Sequence, residues 1–314
     1  MLPTEVLAFA DRGPDWASFV DRLPRLVRDI CQEWQLTADG PALHGHTALV
    51  VPVVTDTGPA MLKISFPHDE SKHEHLALQH WQGHGAVRLL RADPHRGALL
   101  LERLDTRDLT NSWDLEACQI VGSLYEMLHL PALPQLRTLT SFVGRWTERL
   151  AVLPASAPLP RRMIEHAVSL GRDFITDPAS DGTLIHGDLH YANVLASTRS
   201  DGPDWLAIDP KPMSGDPHYE VAPLLWNRWE ELTSNPGGQS VRDGIRGRFH
   251  ATIDAAGLDQ DRARDWVIVR MLHNALFELE DHLGHPQSQL DADYLTMCVT
   301  LAKAVCHEPL RLVQ

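Results

Sequence analysis

The spacing of apolar positions divides the chain into a mixed first third and a helical remainder. Over residues 15–35, Trp16, Phe19, Val20, Leu23, Val27, Ile30 and Trp34 recur at helical intervals. Pro24 interrupts that pattern and is placed to open a second helix, where its missing N–H costs little. From Gly45 the texture turns β-prone. Residues 45–54 form one strand, Asp56-Thr57-Gly58-Pro59 a turn, and residues 60–65 a second strand that carries a single lysine, Lys63. Residues 72–82 read as a helix in which Glu74 heads the apolar run Leu76-Ala77-Leu78. Two further strands, 87–90 and 98–104, flank a turn at Asp93-Pro94-His95.

Beyond Asn111 the period is helical. A helix is predicted over 115–130, ending at Pro131. Two more lie within 141–177, separated by the proline-rich stretch 153–160. Near the end, Ile268, Met271, Leu272, Ala275, Leu276 and Leu279 form an apolar stripe on a helix spanning 266–282. Arg270, Asn274, Glu278 and Asp281 fall on its other side. That side is either a solvated ladder or a wall of carboxylates facing a cationic ligand.

Composition narrows the class. Apolar residues make up 43% and charged residues 22% of 314, ordinary for a folded protein and long enough to favour two lobes. A formal charge of -14 argues against a nucleic-acid partner and is compatible with a cationic small-molecule substrate. No apolar run approaches a membrane span, and the N-terminus lacks the features of a signal peptide. Cys31, Cys118, Cys298 and Cys306 form no CxxC pair, so reduced thiols and a cytoplasmic location are expected. His68, His73, His75, His80 and His84 crowd one segment without a metal-ligand motif and read as a solvated face.

The chemistry concentrates in residues 184–195. Asp188 and Asn193 are five residues apart, and Asp209 follows at the end of the apolar run 205–208. This is the layout of a phosphoryl-transfer loop, in which a carboxylate takes the acceptor's proton while an amide and a second acid hold Mg²⁺. Asp188 is the expected base, and Asn193 and Asp209 the expected metal ligands. Two short antiparallel strands joined through 200–204 would connect these acids. Lys63 needs an anionic partner if buried, and Glu74 together with ATP phosphates would supply it. Gly45 begins the loop expected to meet those phosphates, and the strand ending near Glu102 and Leu104 is the expected hinge beside an adenine edge.

Two other readings compete. His186, Asp188 and His190 alternate along an extended segment and could share a metal, but this leaves Asn193 and Asp209 unexplained. An ordinary strand and turn whose aspartate caps a helix explains any one residue and not the set.

The runs His186-Gly187-Asp188-Leu189-His190-Tyr191-Ala192-Asn193, Ile208-Asp209-Pro210-Lys211-Pro212 and Gly215-Asp216-Pro217-His218-Tyr219-Glu220 resemble the aminoglycoside phosphotransferases. Stretches 81–90, 99–104, 205–212 and 272–281 are most similar to the streptomycin 6-kinase and hydroxyurea phosphotransferase branch, and the likeness runs from about residue 15 to 300. The resemblance implies an α+β, bilobal, protein-kinase-like fold. A small N-lobe with an antiparallel sheet, residues 1–103, would hold the nucleotide, and a larger, mainly helical C-lobe, residues 104–314, would hold the acceptor. It also implies ATP, Mg²⁺ and transfer to a small-molecule hydroxyl. Expected acceptor contacts are Asp216, Glu220, Trp226, Asn227, Glu278 and Asp281, with a loop-anchoring role also open for Asp216. A sugar or metabolite kinase of the same fold, or a nucleotide-binding protein without turnover, are the alternatives.

Overall fold

The computed structural model describes residues 2–234, 238–284 and 290–306. In chain order its elements are α1 (Thr4–Leu7), α2 (Pro14–Trp34), β1 (Thr37–Ala38), β2 (Leu43–His44), β3 (Ala48–Thr55), β4 (Gly58–Ser65), α3 (Glu74–Trp81), β5 (Leu89–Asp93) and β6 (Ala98–Glu102). There follow α4 (Asp114–Leu128), α5 (Leu139–Ala151), α6 (Arg161–Thr176), β7 (Thr183–Ile185), β8 (Val194–Ala196), β9 (Trp205–Ala207) and β10 (Met213–Gly215). The chain closes with α7 (Ala222–Trp226), α8 (Trp229–Thr233), α9 (Val241–Ala256), α10 (Gln260–Gly284) and α11 (Ala292–Val305). Contacts divide these into two compact units, Met1–Arg107 with Leu195–Pro212, and Asp108–Val194 with Met213–Gln314.

The first unit is built on a sheet of order β1-β3-β4-β6-β5, with β2 also paired to β3. β3 and β4 form an antiparallel hairpin in register from Ala48↔Ser65 to Thr55↔Gly58, so Asp56 and Thr57 make a two-residue turn. Phe19, Val20, Leu23, Ile30 and Trp34 of α2 bury against Leu49, Val51, Val53, Leu62 and Ile64 of the sheet. Pro24 does not divide this segment, because α2 is one helix of 21 residues with Pro24 inside it. Pro24 sits on the exposed face. A mid-helix proline costs roughly 3 kcal/mol. Burying five large side chains, at about 1.5–3 kcal/mol each, outweighs that.

The β8–β9 ribbon is tied into the same unit. Val87 N–H donates to Ala207 O and Ala207 N–H to Gly85 O, while Ala196 N–H donates to Arg107 O and Asp105 N–H to Ala196 O. Arg199, in the link between β8 and β9, donates to Gly83 O at 2.6 Å and grips the Glu102 carboxylate. These bonds carry Asp209 into the unit that holds Lys63.

In the second unit, helices α5 to α7 and α9 to α11 share an apolar core that includes Leu150, Ile164, Leu225, Phe249, Met271, Leu272 and Leu301. α4 lies so close to α9 that a Cβ on Gly122 would stand 2.8 Å from both Ala255 Cβ and Thr252 O. β7 pairs antiparallel with β10, Ile185 opposite Met213, and delivers the chain into the 186–193 loop.

α10 is buried nearly all round: Trp266 to His273 are eight consecutive residues with at most 7% exposure. His273 there bonds Thr147 Oγ1 at 3.3 Å through Nε2, and its buried Nδ1 has no partner. Burial pulls this imidazole down to about 3. The unfolded chain protonates it near 6.5 and the folded chain does not, so this site favours folding fully above that pH and loses stability as pH falls towards 3. His273→Phe is therefore expected to flatten the fall in urea-measured stability between about pH 6.5 and 4.5, by about 1.4 kcal/mol per pH unit. An unchanged slope would refute it.

Candidate active site

The chemistry-bearing residues occur in both units, and each set is held by its own surroundings. In the first unit, β4 places Lys63 at 7% exposure and α3 begins with Glu74 at 2%. The Lys63 ammonium donates to Glu74 Oε1 at 2.6 Å and to Asp209 Oδ1 at 2.5 Å. Burial alone would lower the lysine's pKa, but the two carboxylates more than offset that and hold it charged. Burial pushes Glu74 up to about 7 against the pull of Lys63, with the charge of Asp209 adding to the rise. Asp209 is different: its side chain is 44% exposed and its φ is +57°, a left-handed conformation that few residues other than Gly, Asn and Asp accept. A carboxylate with one oxygen on a lysine and much of its surface still exposed can serve a hard cation.

Gly45 lies between β2 and β3, its N–H bonded to Ala48 O at 2.9 Å. The loop is braced by its neighbours, since Arg12 Nη1 donates to His46 O at 2.9 Å and His68 Nε2 meets Thr47 Oγ1 at 3.2 Å. Glu102, expected beside a nucleotide, is already committed within the unit. Its carboxylate takes the Arg88 N–H at 2.6 Å and Arg199, and its own N–H donates to Arg88 O.

In the second unit, Ile185 leads into His186, Gly187 and Asp188. Gly187 has φ +82°, which a Cβ would oppose. Leu189 and Tyr191 are buried, and Tyr191 Oη donates to Asp114 Oδ1 at 2.9 Å. Buried Arg248 holds the other Asp114 oxygen at 2.7 Å. Asp188 is half-buried, its N–H on His186 Nδ1 at 3.3 Å and its carbonyl accepting from Asn193 Nδ2 at 2.8 Å. Asn193 Nδ2 also faces His190 Nε2 at 3.2 Å, so the amide nitrogen is spent inside the loop and Oδ1 is the atom left for a ligand.

Each of these oxygens, Asn193 Oδ1 in the second unit and the Asp209 carboxylate in the first, is of the kind Mg²⁺ takes, an ion that relies on one or two protein groups plus phosphates. Zn²⁺ prefers nitrogen and sulfur, and no group of three or more His, Cys, Asp or Glu suited to a metal occurs among the described residues.

Two expected acceptor contacts turn inward instead. Asp216 is 1% exposed, and both its oxygens are taken: Oδ1 by the His218 N–H and ring, Oδ2 by Arg262 Nε and Trp266 Nε1, each at 2.6 Å. It pins the chain after β10 to α10 and has no atom to offer a substrate. Glu220 is fully buried, with Oε1 on the Gly187 N–H at 2.7 Å and Oε2 on His129 Nε2 at 2.8 Å. Burial would raise its pKa, but the bond and charge of His129 hold it below the usual carboxylate value. It is a support for the loop that carries Asp188. Asn227 also bonds inward, to Pro223 O at 2.9 Å. Trp226, Asn274 and Glu278 are half-buried and Asp281 is exposed. Glu278 Oε1 accepts the Asp291 N–H at 2.9 Å.

Arg270 is the residue the sequence pattern misplaced. It is 7% exposed rather than solvated, and donates to Tyr219 O at 2.9 Å and Gly187 O at 2.7 Å. An available signal was its setting, a lone charge between Val267-Ile268-Val269 and Met271-Leu272.

Residues 33–282 match the family model described as aminoglycoside/hydroxyurea antibiotic resistance kinase. The chain belongs to this family. It is therefore a kinase-fold phosphotransferase with a hydroxyl acceptor, of the antibiotic-resistance type. A streptomycin 6-kinase of Streptomyces glaucescens is 37% identical over 280 residues, covering 87% of this chain and 88% of that protein. A hydroxyurea phosphotransferase of Kitasatospora aureofaciens is also 37% identical, over 89% of this chain and 81% of the relative. Among solved structures, a spectinomycin phosphotransferase in complex with ADP and spectinomycin superposes with a TM-score of 0.59 at 13% identity, over 90% of this chain and 98% of that one. The last likeness speaks to the fold. An α+β kinase-like architecture, with a small antiparallel sheet and a mainly helical remainder, agrees with it. No described helix is long and apolar enough to cross a membrane.

Proposed function

We propose that the protein is a cytoplasmic, ATP- and Mg²⁺-dependent streptomycin 6-phosphotransferase. The observation that carries this reading is the 37% identity to a streptomycin 6-kinase over 87% of the chain, joined to a Lys63–Glu74–Asp209 cluster suited to polyphosphate. In this reading Lys63 steadies the non-transferred phosphates, and Glu74 orients Lys63. Asp188 orients the acceptor hydroxyl and receives its proton as the new O–P bond forms. Asn193 Oδ1 and the half-exposed Asp209 carboxylate would hold Mg²⁺. The ion, when bound, neutralises charge on the phosphate oxygens. Main-chain groups at Leu104 serve the adenine edge, and the Gly45 loop lies by the phosphates.

On the acceptor side, Glu278 and Asp281 supply negative charge and Trp226 an apolar face for a cationic aminocyclitol, in keeping with a net charge of -14. The phenol of Tyr294 is pushed up to about 12, chiefly by burial, and so is neutral.

A hydroxyurea acceptor is the second reading, because that relative is equally similar. A coupled ATP/Mg²⁺ assay across streptomycin, other aminoglycosides, hydroxyurea and glucosamine decides between them. Streptomycin is expected to give the highest kcat/KM, with the product phosphorylated at the 6-hydroxyl by NMR. Turnover of glucosamine without streptomycin would replace this reading with a metabolite kinase.

A further inference from the structure

We propose that Arg270 is a positioning residue for the phosphoryl-transfer step, acting on Asp188 through the carbonyl of Gly187. The main chain around Asp188 is held by side chains rather than by a strand or helix. Glu220 takes the Gly187 N–H, His186 the Asp188 N–H, and Asn193 the Asp188 carbonyl. The Gly187 carbonyl is taken by Arg270 Nη2 at 2.7 Å. Since that carbonyl belongs to the peptide joining Gly187 to Asp188, its direction fixes where the Asp188 side chain starts.

The guanidinium is itself locked in place. Nη1 donates to Tyr219 O at 2.9 Å, and the guanidinium carbon Cζ lies 4.2 Å from the Tyr219 ring centroid and 4.9 Å from that of Trp226. Its bonds go to two backbone carbonyls on different segments, one beside Glu220 and one beside Asp188. A planar donor fork can satisfy both at once and stack on the rings, whereas an ammonium on a single-point stem cannot. Gly187 at φ +82° has no side chain to limit its rotation, so the loop needs an external hold at this peptide. Without it, a shift of about 1 Å in a reacting group is enough to cost up to about 10²-fold in rate.

The inference rests on Asp188 being the base, and the test separates the two. Arg270→Lys is compared with wild type, each alone and combined with Asp188→Asn, after melting curves confirm that the variants are folded. Arg270→Gln, which keeps a neutral donor for Gly187 O, serves if the lysine variant does not fold. The expected result is a fall in kcat of roughly 10–100-fold when Asp188 is intact, with KM for ATP changed by less than about twofold. Combined with Asp188→Asn, the same change should cost less than about threefold, because the carboxylate it positions is gone. An equal loss in both backgrounds, or an unchanged kcat in folded Arg270→Lys, would overturn the inference. Near-normal turnover of the Asp188→Asn single variant would overturn the base assignment and this inference with it.

Discussion

Asp188→Asn is expected to lower kcat by roughly 10²–10⁴ while KM for ATP stays within about twofold. The substitution is nearly isosteric and keeps the loop's bonds to the Asp188 main chain. The Asp188 N–H and carbonyl are both main-chain, bonded to His186 and Asn193. Leu189 and Tyr191 keep their burial. What changes is the ability to accept a proton from the acceptor hydroxyl: an amide can orient that hydroxyl but cannot take its proton. Nucleotide affinity is expected to persist because the Lys63–Glu74–Asp209 cluster is held together by its own ion pairs. Steady-state rates at saturating ATP and streptomycin, with Tm recorded alongside, measure the effect. A kcat within about threefold of wild type would remove Asp188 from the mechanism.

How much of this was legible in the sequence depended on how local the cause was. The hairpin of β3 and β4 was readable because β-branched runs and a turn signature act over a few residues. Lys63 was readable as a buried, paired lysine because an ammonium inside an apolar strand cannot go unpaired. Its partner in space followed from Glu74 heading the next helix. Pro24 misled because its cost is local while the gain that overrides it comes from the whole α2–sheet contact.

Glu220 reads as an acceptor contact and is an internal anchor, while Asp216, for which an acceptor contact and an anchoring role are both open in the sequence, takes the anchoring one. The partners that turn them inward, Arg262 and His129, stand 46 and 91 residues away, beyond any local pattern. Arg270 misled for a related reason. Helical periodicity assigns a residue opposite the apolar stripe to solvent, which holds for a helix covered on one side. α10 is covered on several, and a charge on its second face then has to be doing something inside the protein.

Lys63→Met is expected to damage both stability and nucleotide use, with a pH signature that identifies the cause. It strips the ammonium from Glu74, a carboxylate at 2% exposure. Breaking a buried pair by removing one partner typically costs about 3–5 kcal/mol. Glu74 has an escape, which is to take up a proton. Burial already pushes it up to about 7 with the lysine present, and losing that lysine can only raise it further. In the variant it is therefore neutral when folded and ionised when unfolded, so the folded state binds the extra proton. At about pH 7, protonating a group whose unfolded pKa is about 4.3 costs about 3.7 kcal/mol, and the cost changes by about 1.4 kcal/mol per pH unit. The stability deficit of Lys63→Met against wild type should thus grow as pH rises above about 7 and level off below about 7, where Glu74 is protonated in both folded proteins. Asp209 contributes little to it, because at 44% exposure water replaces the lost partner. Adding Glu74→Gln to Lys63→Met should recover most of the stability, since the neutral amide needs no counter-charge. It should leave kcat/KM for ATP depressed by about 10² or more, because the phosphates still lack their cation. Urea denaturation across pH for the two single variants and the double separates these effects. A deficit in Lys63→Met that does not vary with pH would show that Glu74 is not the group left uncompensated.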